Sequence, residues 1–352
     1  MKASDLRVLK VEYLATRKCR LNCSYCKITD DSSLKGTELT LQEVQEMIDL
    51  IGWHWPGAPL IIFGGEPTMR EDLPEIIEYA KSCGVKTAVI SNSLKVTVNV
   101  EYRERLVSAG LDNWSISYDG DGRDLSETDP NLTIKSGAGL TALKMFRDQY
   151  GIRDLVACIT VTKHNITSLP EIVEMLTKEG IWSICTPLQI GGEGYDYSSG
   201  DRGNLPLVEH IHSISMEMQA MAESGKYLMH NEAAWFAAWD DNFILQDWQC
   251  HDKSVLTVDA DGLLRWCVEK ALPERFSIFD LETEEHLEGY ADLLGDTIPD
   301  CDGCFWDPAY ESIKRGLDST LTDVEGRQSY RHELTSEEVS KLLPEAQQWF
   351  KK

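Results

Sequence analysis

No run of about 18 apolar residues occurs anywhere in the 352-residue chain, so no membrane-spanning helix is expected. The opening segment Met1-Lys2-Ala3-Ser4-Asp5-Leu6-Arg7 has no apolar core of the kind a secretory signal carries. Positive charge is scarce: 34 Lys and Arg stand against 59 Asp and Glu, a formal net charge of −25. Proteins that cover nucleic acid or anionic membrane need basic surface, so neither is expected as a partner. Internal repeats and low-complexity segments are also missing, so a solenoid is not expected. With 42% hydrophobic and 26% charged residues, the composition is that of a globular protein, with the cytoplasm as the default compartment.

Cysteine, by contrast, is abundant, at ten residues. Seven fall into two groups: Cys19, Cys23 and Cys26, then Cys250, Cys267, Cys301 and Cys304. Grouping of this kind in a reducing compartment reads as metal binding. Cys83, Cys158 and Cys185 are scattered through apolar or helical contexts and read as small buried hydrophobes.

The first group, Cys19-Arg20-Leu21-Asn22-Cys23-Ser24-Tyr25-Cys26, follows a strand-like run over residues 8–16. The thiols therefore sit on a loop past a strand's carboxyl end, where α/β sheets place their chemistry. Structural zinc sites want four ligands, and disulfides need an oxidising compartment. An iron–sulfur cluster, normally held by cysteines, suits three thiols on a short loop better than either.

Strand and helix patterns then alternate. Thr40, with Glu43 three residues on, has the capping-box spacing, and Val44, Met47, Ile48 and Ile51 form the apolar stripe of the helix it opens. Residues 59–63 are continuously apolar, as in a strand buried on both faces, and end in Gly64-Gly65-Glu66-Pro67. The glycines let the backbone approach a ligand closely, and the carboxylate can anchor an ammonium group. Further strands are expected at 85–90, 114–118, 155–161 and 181–189. Helices are expected at 73–83, 100–109, 134–149 and 169–178, the last capped by Thr167 or Ser168. Six strands separated by helices predict an α/β fold, a (βα)6 arrangement with a parallel sheet. Polar strand-end residues, among them Asn92, Ser117, Asp119 and Gln189, should line its mouth.

Residues 191–204, rich in Gly, Ser, Asp and Tyr, read as a loop over that mouth, and 207–223 as a helix whose Met216, Met218 and Met221 pack in the core. Trp235, Phe236, Trp239 and Trp248 form an aromatic cluster. In the second cysteine group, two alternating runs flank Asp261-Gly262, the dipeptide of a tight primed turn. That hairpin brings Cys250 and Cys267 to one end, and Cys301-Asp302-Gly303-Cys304 supplies a further pair. Four thiols fit either zinc or a fully ligated [4Fe-4S] cluster.

The Cys19–Cys26 loop, with Tyr25 before the third cysteine and Gly64-Gly65-Glu66-Pro67 one strand and helix downstream, resembles the signature of the radical S-adenosylmethionine (SAM) superfamily. The resemblance implies a partial TIM-like barrel and a [4Fe-4S] cluster on Cys19, Cys23 and Cys26, whose fourth iron takes SAM. It also implies SAM contacts from Tyr25, from Gly64, Gly65, Glu66 and Pro67 (the element meeting the amino group), and from Asn92, Ser117, Asp119 and Gln189. The later cysteines look like the twitch domain, a shortened SPASM domain, which implies an auxiliary [4Fe-4S] cluster on Cys250, Cys267, Cys301 and Cys304 in a small β-hairpin/helix domain. The expected organisation is a barrel core over 1–200, a helical linker over 201–249, the twitch domain over 250–310 and a helical tail over 311–352. The implied activity is reductive cleavage of SAM to a 5′-deoxyadenosyl radical, with a flavodoxin- or ferredoxin-type reductant. Only seven residues precede the first strand, which disfavours a peptide leader-binding domain. The expected substrate is therefore a small polar molecule, such as a sugar, cyclitol or nucleoside, undergoing two-electron oxidation or rearrangement. A peptide-modifying maturase is the alternative, and a two-cluster electron-transfer protein the alternative of another class. No catalytic base is singled out.

Overall fold

The computed structural model describes residues 8–26, 28, 38–120, 130–188, 202–239, 241, 255–268, 270, 272 and 275–296. Gln189, Trp248, Cys250, Cys301, Cys304 and the helical tail expected over 311–352 lie outside them. The alternating part runs β1 (Lys10–Thr16), α1 (Leu41–His54), β2 (Leu60–Gly64), α2 (Leu73–Ser82), β3 (Thr87–Ser91), α3 (Leu94–Val98), α4 (Val100–Ser108), β4 (Asn113–Ser117), α5 (Pro130–Tyr150), β5 (Asp154–Val161), α6 (Leu169–Lys178) and β6 (Trp182–Pro187). After it come α7 (Val208–Ser224), α8 (Ala233–Ala237), β7 (Val255–Val258), β8 (Leu264–Arg265) and α9 (Glu284–Asp296).

The sheet is open, in the order β6-β5-β4-β3-β2-β1-β7-β8. Every neighbouring pair is parallel except β7 and β8. This is the partial (βα)6 barrel expected from the strand count. The appended hairpin does not stand apart from it: β7 lies parallel against β1, with Lys10 opposite Val255 and Tyr13 opposite Val258.

The two faces of the sheet differ. Val11, Tyr13, Leu60, Ile62, Val89, Trp114 and Leu155 point to the helices and are fully or almost fully buried. Trp114 anchors this core, its ring centroid 5.0 Å from that of Phe146 on α5. Each such apolar side chain contributes about 1.5–3 kcal/mol when fully buried. The alternate residues Ile61, Phe63, Ile90, Cys158, Thr160, Ile184 and Thr186 face the other way and are only half-buried. The 59–63 run is therefore not buried on both faces: an open barrel of six strands leaves its inner wall partly accessible.

Local chemistry explains several element ends. Thr40 and Glu43 form the reciprocal capping box at α1, whose stripe of Val44, Met47, Ile48 and Ile51 is entirely buried. Ser168 sits at the N-cap position of α6 without a side-chain cap bond, because a single 3₁₀ turn over Ile166–Ser168 leads into the helix instead. The hairpin turn also departs from expectation. Gly262 N–H donates to the Asp259 carbonyl, and Asp259 N–H donates to the Leu263 carbonyl, at 2.9 and 2.8 Å. This is a three-residue loop closed by Gly262 at φ +83°, a G1-bulge turn and not a two-residue primed turn. A Cβ on Gly262 would also press on Leu39 and Phe279, at 3.1 and 3.3 Å.

Three side chains sit otherwise than their contexts suggested. Cys83 is exposed beside Asp49 and Tyr79, and Cys158 is half-buried; of these three scattered cysteines, Cys185 alone is fully buried. Met216 is 66% exposed while Met218 and Met221 are buried, since a single helix face meets the core. Trp235, Phe236 and Trp239 do pack in the core. No helix among the described residues is long and apolar enough to cross a membrane.

Candidate metal centre

Cys19, Cys23 and Cys26 lie on the loop leaving β1, all half-buried and none in a disulfide. Exposure alternates along it: Lys18, Arg20, Asn22 and Ser24 face out, and the residues between them face in. Cys26 N–H donates to the Cys23 carbonyl at 3.0 Å, closing a turn between the second and third cysteines. Two N–H groups point at the first sulfur: the Leu21 amide at 3.4 Å and Asn92 Nδ2 at 3.7 Å from Cys19 Sγ. Burial raises the Cys19 pKa, and the nearby charges of Glu66 and Cys26 push the same way, against the Leu21 and Asn92 donors. An electropositive metal at this point would reverse that balance by stabilising the thiolate.

The loop is braced from several strands. At its entry, Glu38 accepts from Thr16 Oγ1 (2.7 Å), the Arg17 amide (3.2 Å) and Lys18 Nζ (3.0 Å). Arg17 reaches the hairpin, donating from Nη2 to both oxygens of Asp259 at 2.5 and 2.6 Å; Arg265 Nη1 meets the same carboxylate at 3.1 Å. Arg70, buried on the turn after β2, donates to the carbonyls of Ala15 (3.3 Å) and Leu39 (2.9 Å), tying the end of β1 to the start of α1.

Gly64 and Gly65 are required by this bracing. A Cβ on Gly64 would stand 2.4 Å from the Thr16 carbonyl oxygen, and one on Gly65 2.5 Å from that of Lys18. The approach is sealed by Gly65 N–H on the Thr16 carbonyl (2.7 Å) and Glu66 N–H on the Lys18 carbonyl (2.8 Å). The glycines thus bring backbone against the cysteine loop itself. Glu66 is buried and its carboxylate accepts four hydrogen bonds: Thr68 N–H (3.1 Å), Thr68 Oγ1 (2.6 Å), Ser91 Oγ (2.7 Å) and Asn92 N–H (2.7 Å). Burial raises its pKa, and those four donors work against the rise. Pro67 opens the short turn that follows. Ser93, at φ +64°, bends the chain so that Asn92 faces Glu66 with its amide and Cys19 with its side chain.

Asp119 and Tyr25 meet, but around a residue the sequence did not single out. Lys135 of α5 pairs with Asp119 Oδ2 at 2.6 Å and donates to the Tyr25 hydroxyl at 2.5 Å, while that hydroxyl donates to Asp119 at 3.1 Å. For Lys135, burial favours the neutral amine, yet Asp119 and then Tyr25 outweigh it and hold the pKa well above the ordinary lysine value. Burial and the Asp119 charge raise the Tyr25 pKa as well. Ser117 ends β4, half-buried on the inner face and opposite Cys158.

Among the described residues, no three His, Cys, Asp or Glu side chains are gathered closely enough to chelate a single metal ion. A cluster spreads its thiolates over separate irons, and three half-buried thiols in no disulfide, with N–H donors on one sulfur, fit that demand. Of the second cysteine group only Cys267 is described, half-buried beyond β8.

The sequence profile of the Radical SAM superfamily matches residues 13–196, more than half of the chain. The chain belongs to the radical SAM superfamily. Over 173 residues it is 32% identical to the Fe-coproporphyrin III synthase of Methanosarcina barkeri, covering 48% of this chain and 41% of that one. Over 166 residues it is 30% identical to the PqqA peptide cyclase of Bradyrhizobium diazoefficiens, covering 46% and 41%. The match thus spans about two fifths of these relatives' own length. Among solved structures, Streptococcus suis SuiB bound to S-adenosylmethionine superposes with a TM-score of 0.58 at 11% identity, over 89% of this chain and 68% of that one. That likeness is one of fold. For a radical SAM protein the expected cofactors are a [4Fe-4S] cluster and SAM.

Proposed function

We propose that Cys19, Cys23 and Cys26 hold the [4Fe-4S] cluster that binds SAM, and that Cys250, Cys267, Cys301 and Cys304 hold an auxiliary [4Fe-4S] cluster. The observation that carries the first assignment is the loop itself, three half-buried thiols in no disulfide just past the end of β1, within the stretch that matches the superfamily. When bound and reduced, such a cluster supplies the electron that cleaves SAM to methionine and a 5′-deoxyadenosyl radical able to take hydrogen from an unactivated carbon.

The chain's own residues position and enclose. The Gly64–Pro67 turn is the element proposed to meet the amino group of SAM. It would act through its backbone, because the Glu66 carboxylate is already engaged by four donors. Asn92, Ser117 and Gln189 are proposed along the rest of SAM; Tyr25 and Asp119 would act through the contacts they make with Lys135. The half-buried inner wall, with Phe63 and Ile90 beside Ser117 and Thr160, offers a substrate both apolar contact and hydroxyl partners. The reading is an oxidoreductase acting on a small polar molecule by two-electron oxidation or by rearrangement. A flavodoxin- or ferredoxin-type protein would reduce the SAM-binding centre, and in an oxidation the auxiliary centre would accept the electron that the substrate gives up after losing hydrogen. The likeness to a peptide cyclase favours a peptide as the second reading.

Anaerobic reconstitution tests the proposal. The wild-type chain should take up iron and sulfide and, with dithionite and SAM, form 5′-deoxyadenosine; Cys19→Ala should abolish it. A chain that binds zinc alone, or loads iron yet leaves SAM intact, overturns the reading. Cys301→Ala should keep SAM cleavage and lose product; unaltered product would remove the redox role of the second site.

A further inference from the structure

Two side chains of α5 reach the cysteine loop, at Asn22 and at Tyr25, from positions one helical turn apart. Asn131 Nδ2 donates to the Asn22 carbonyl at 3.1 Å, and Lys135 holds the Tyr25 hydroxyl. Positions i and i+4 share one helix face, so α5 presents both contacts together. The pair behind them is deeply buried, with 7% of the Lys135 side chain and 1% of the Asp119 side chain exposed. Asp119 is itself fixed: its N–H donates to Ser136 Oγ at 2.8 Å, and its carbonyl accepts from Asn165 Nδ2 at 3.2 Å. A buried ion pair adds little net stability compared with apolar packing of the same volume; what it can contribute is a defined position. Here that position is the side chain next to Cys26.

We propose that Lys135 is a positioning residue for the metal centre: paired with Asp119, its ammonium pins Tyr25 and thereby fixes where Cys23 and Cys26 stand relative to Cys19. The inference rests on the reading that these three thiols hold a cluster. Its physical basis is preorganisation. A loop already ordered by α5 has less conformational freedom to lose when metal binds, so it holds the metal more firmly. Nothing in the composition of residues 130–137 marks Lys135 for this role; β4 and α5 bring it beneath a loop 110 positions away.

The test uses the full chain, reconstituted anaerobically, with iron release to an excess of chelator as the readout. The electron paramagnetic resonance spectrum of the dithionite-reduced cluster is recorded beside it. Lys135→Met and Tyr25→Phe should release iron roughly 10- to 100-fold faster than wild type, the range found when a residue supporting metal ligands is lost. Lys135→Arg, which keeps the charge, should come back close to wild type. Arg147→Met, which removes a half-buried cation from the far end of the same helix, should lower the melting temperature without speeding release. Should Lys135→Met fail to fold, Tyr25→Phe, which removes one hydroxyl and leaves the ion pair intact, decides alone. Release at the wild-type rate with an unchanged spectrum in the variants overturns the proposal, as does equally fast release from Arg147→Met. A wild-type chain that takes up no iron overturns the functional reading and this one with it; a loaded wild type matched by equally retentive variants overturns this one alone.

Discussion

The residues around the cysteine loop divide by what their charges do. Glu38 gathers three donors from Thr16, Arg17 and Lys18, and although its partial burial alone would raise its pKa, those bonds bring it below the ordinary 4.5. A carboxyl whose pKa is depressed by folding contributes stability above its unfolded value and loses it as the pH falls through the folded one. The melting temperature of wild type should therefore exceed that of Glu38→Gln at neutral pH, and the difference should shrink below about pH 4.5 and vanish in stronger acid. A difference that stays constant down to pH 3 would separate Glu38 from the loop's stability. Glu66 has the opposite sign, since its pKa is raised, so its ionised form is favoured less in the folded chain and it works against the acid loss. Its identity was legible from the Gly-Gly-Glu-Pro tetrapeptide, but its partners were not: a sequence shows a carboxylate, and only the fold shows that Ser91 and Asn92 already occupy it.

At the scale of elements, most strands and the longer helices could be read because most β runs are short and apolar and end at or near Gly or a polar residue, and helices such as α1 carry an apolar stripe. What stayed hidden was pairing. The alternation around residues 255–265 announces a hairpin, yet nothing in it states that β7 docks on β1, because parallel register depends on a partner more than 240 residues away. The same distance hides the Arg17–Asp259–Arg265 group, which couples hairpin to cysteine loop. Asp259→Asn would leave two nearly buried guanidinium groups short of their counter-charge. It should cost about 3–5 kcal/mol in urea unfolding of the metal-free chain, the usual penalty for removing one partner of a buried pair. A loss under 1 kcal/mol would show that water or another acceptor takes over.

For the whole molecule, the consequence of the eight-stranded order is that barrel and hairpin share one sheet. Amide hydrogen exchange should therefore give Leu256 and Val258 protection factors comparable to those of Val11 and Tyr13, since these strands open together. Exchange of β7 by orders of magnitude faster than β1 would mark the hairpin as a separate unit. That same pairing sets an order of events during synthesis. β1 leaves the ribosome early, finds β2 after about fifty residues, and waits for β7 until residue 258 has emerged. At roughly 5–20 residues per second the wait is on the order of 10–50 s, during which one edge of the nascent sheet has no partner. Unpaired strand edges recruit other chains, and charged side chains along an edge are the usual guard against it. Lys10 and Glu12, 2.6 Å apart on β1 and buried once the sheet is complete, stand on that edge while it waits.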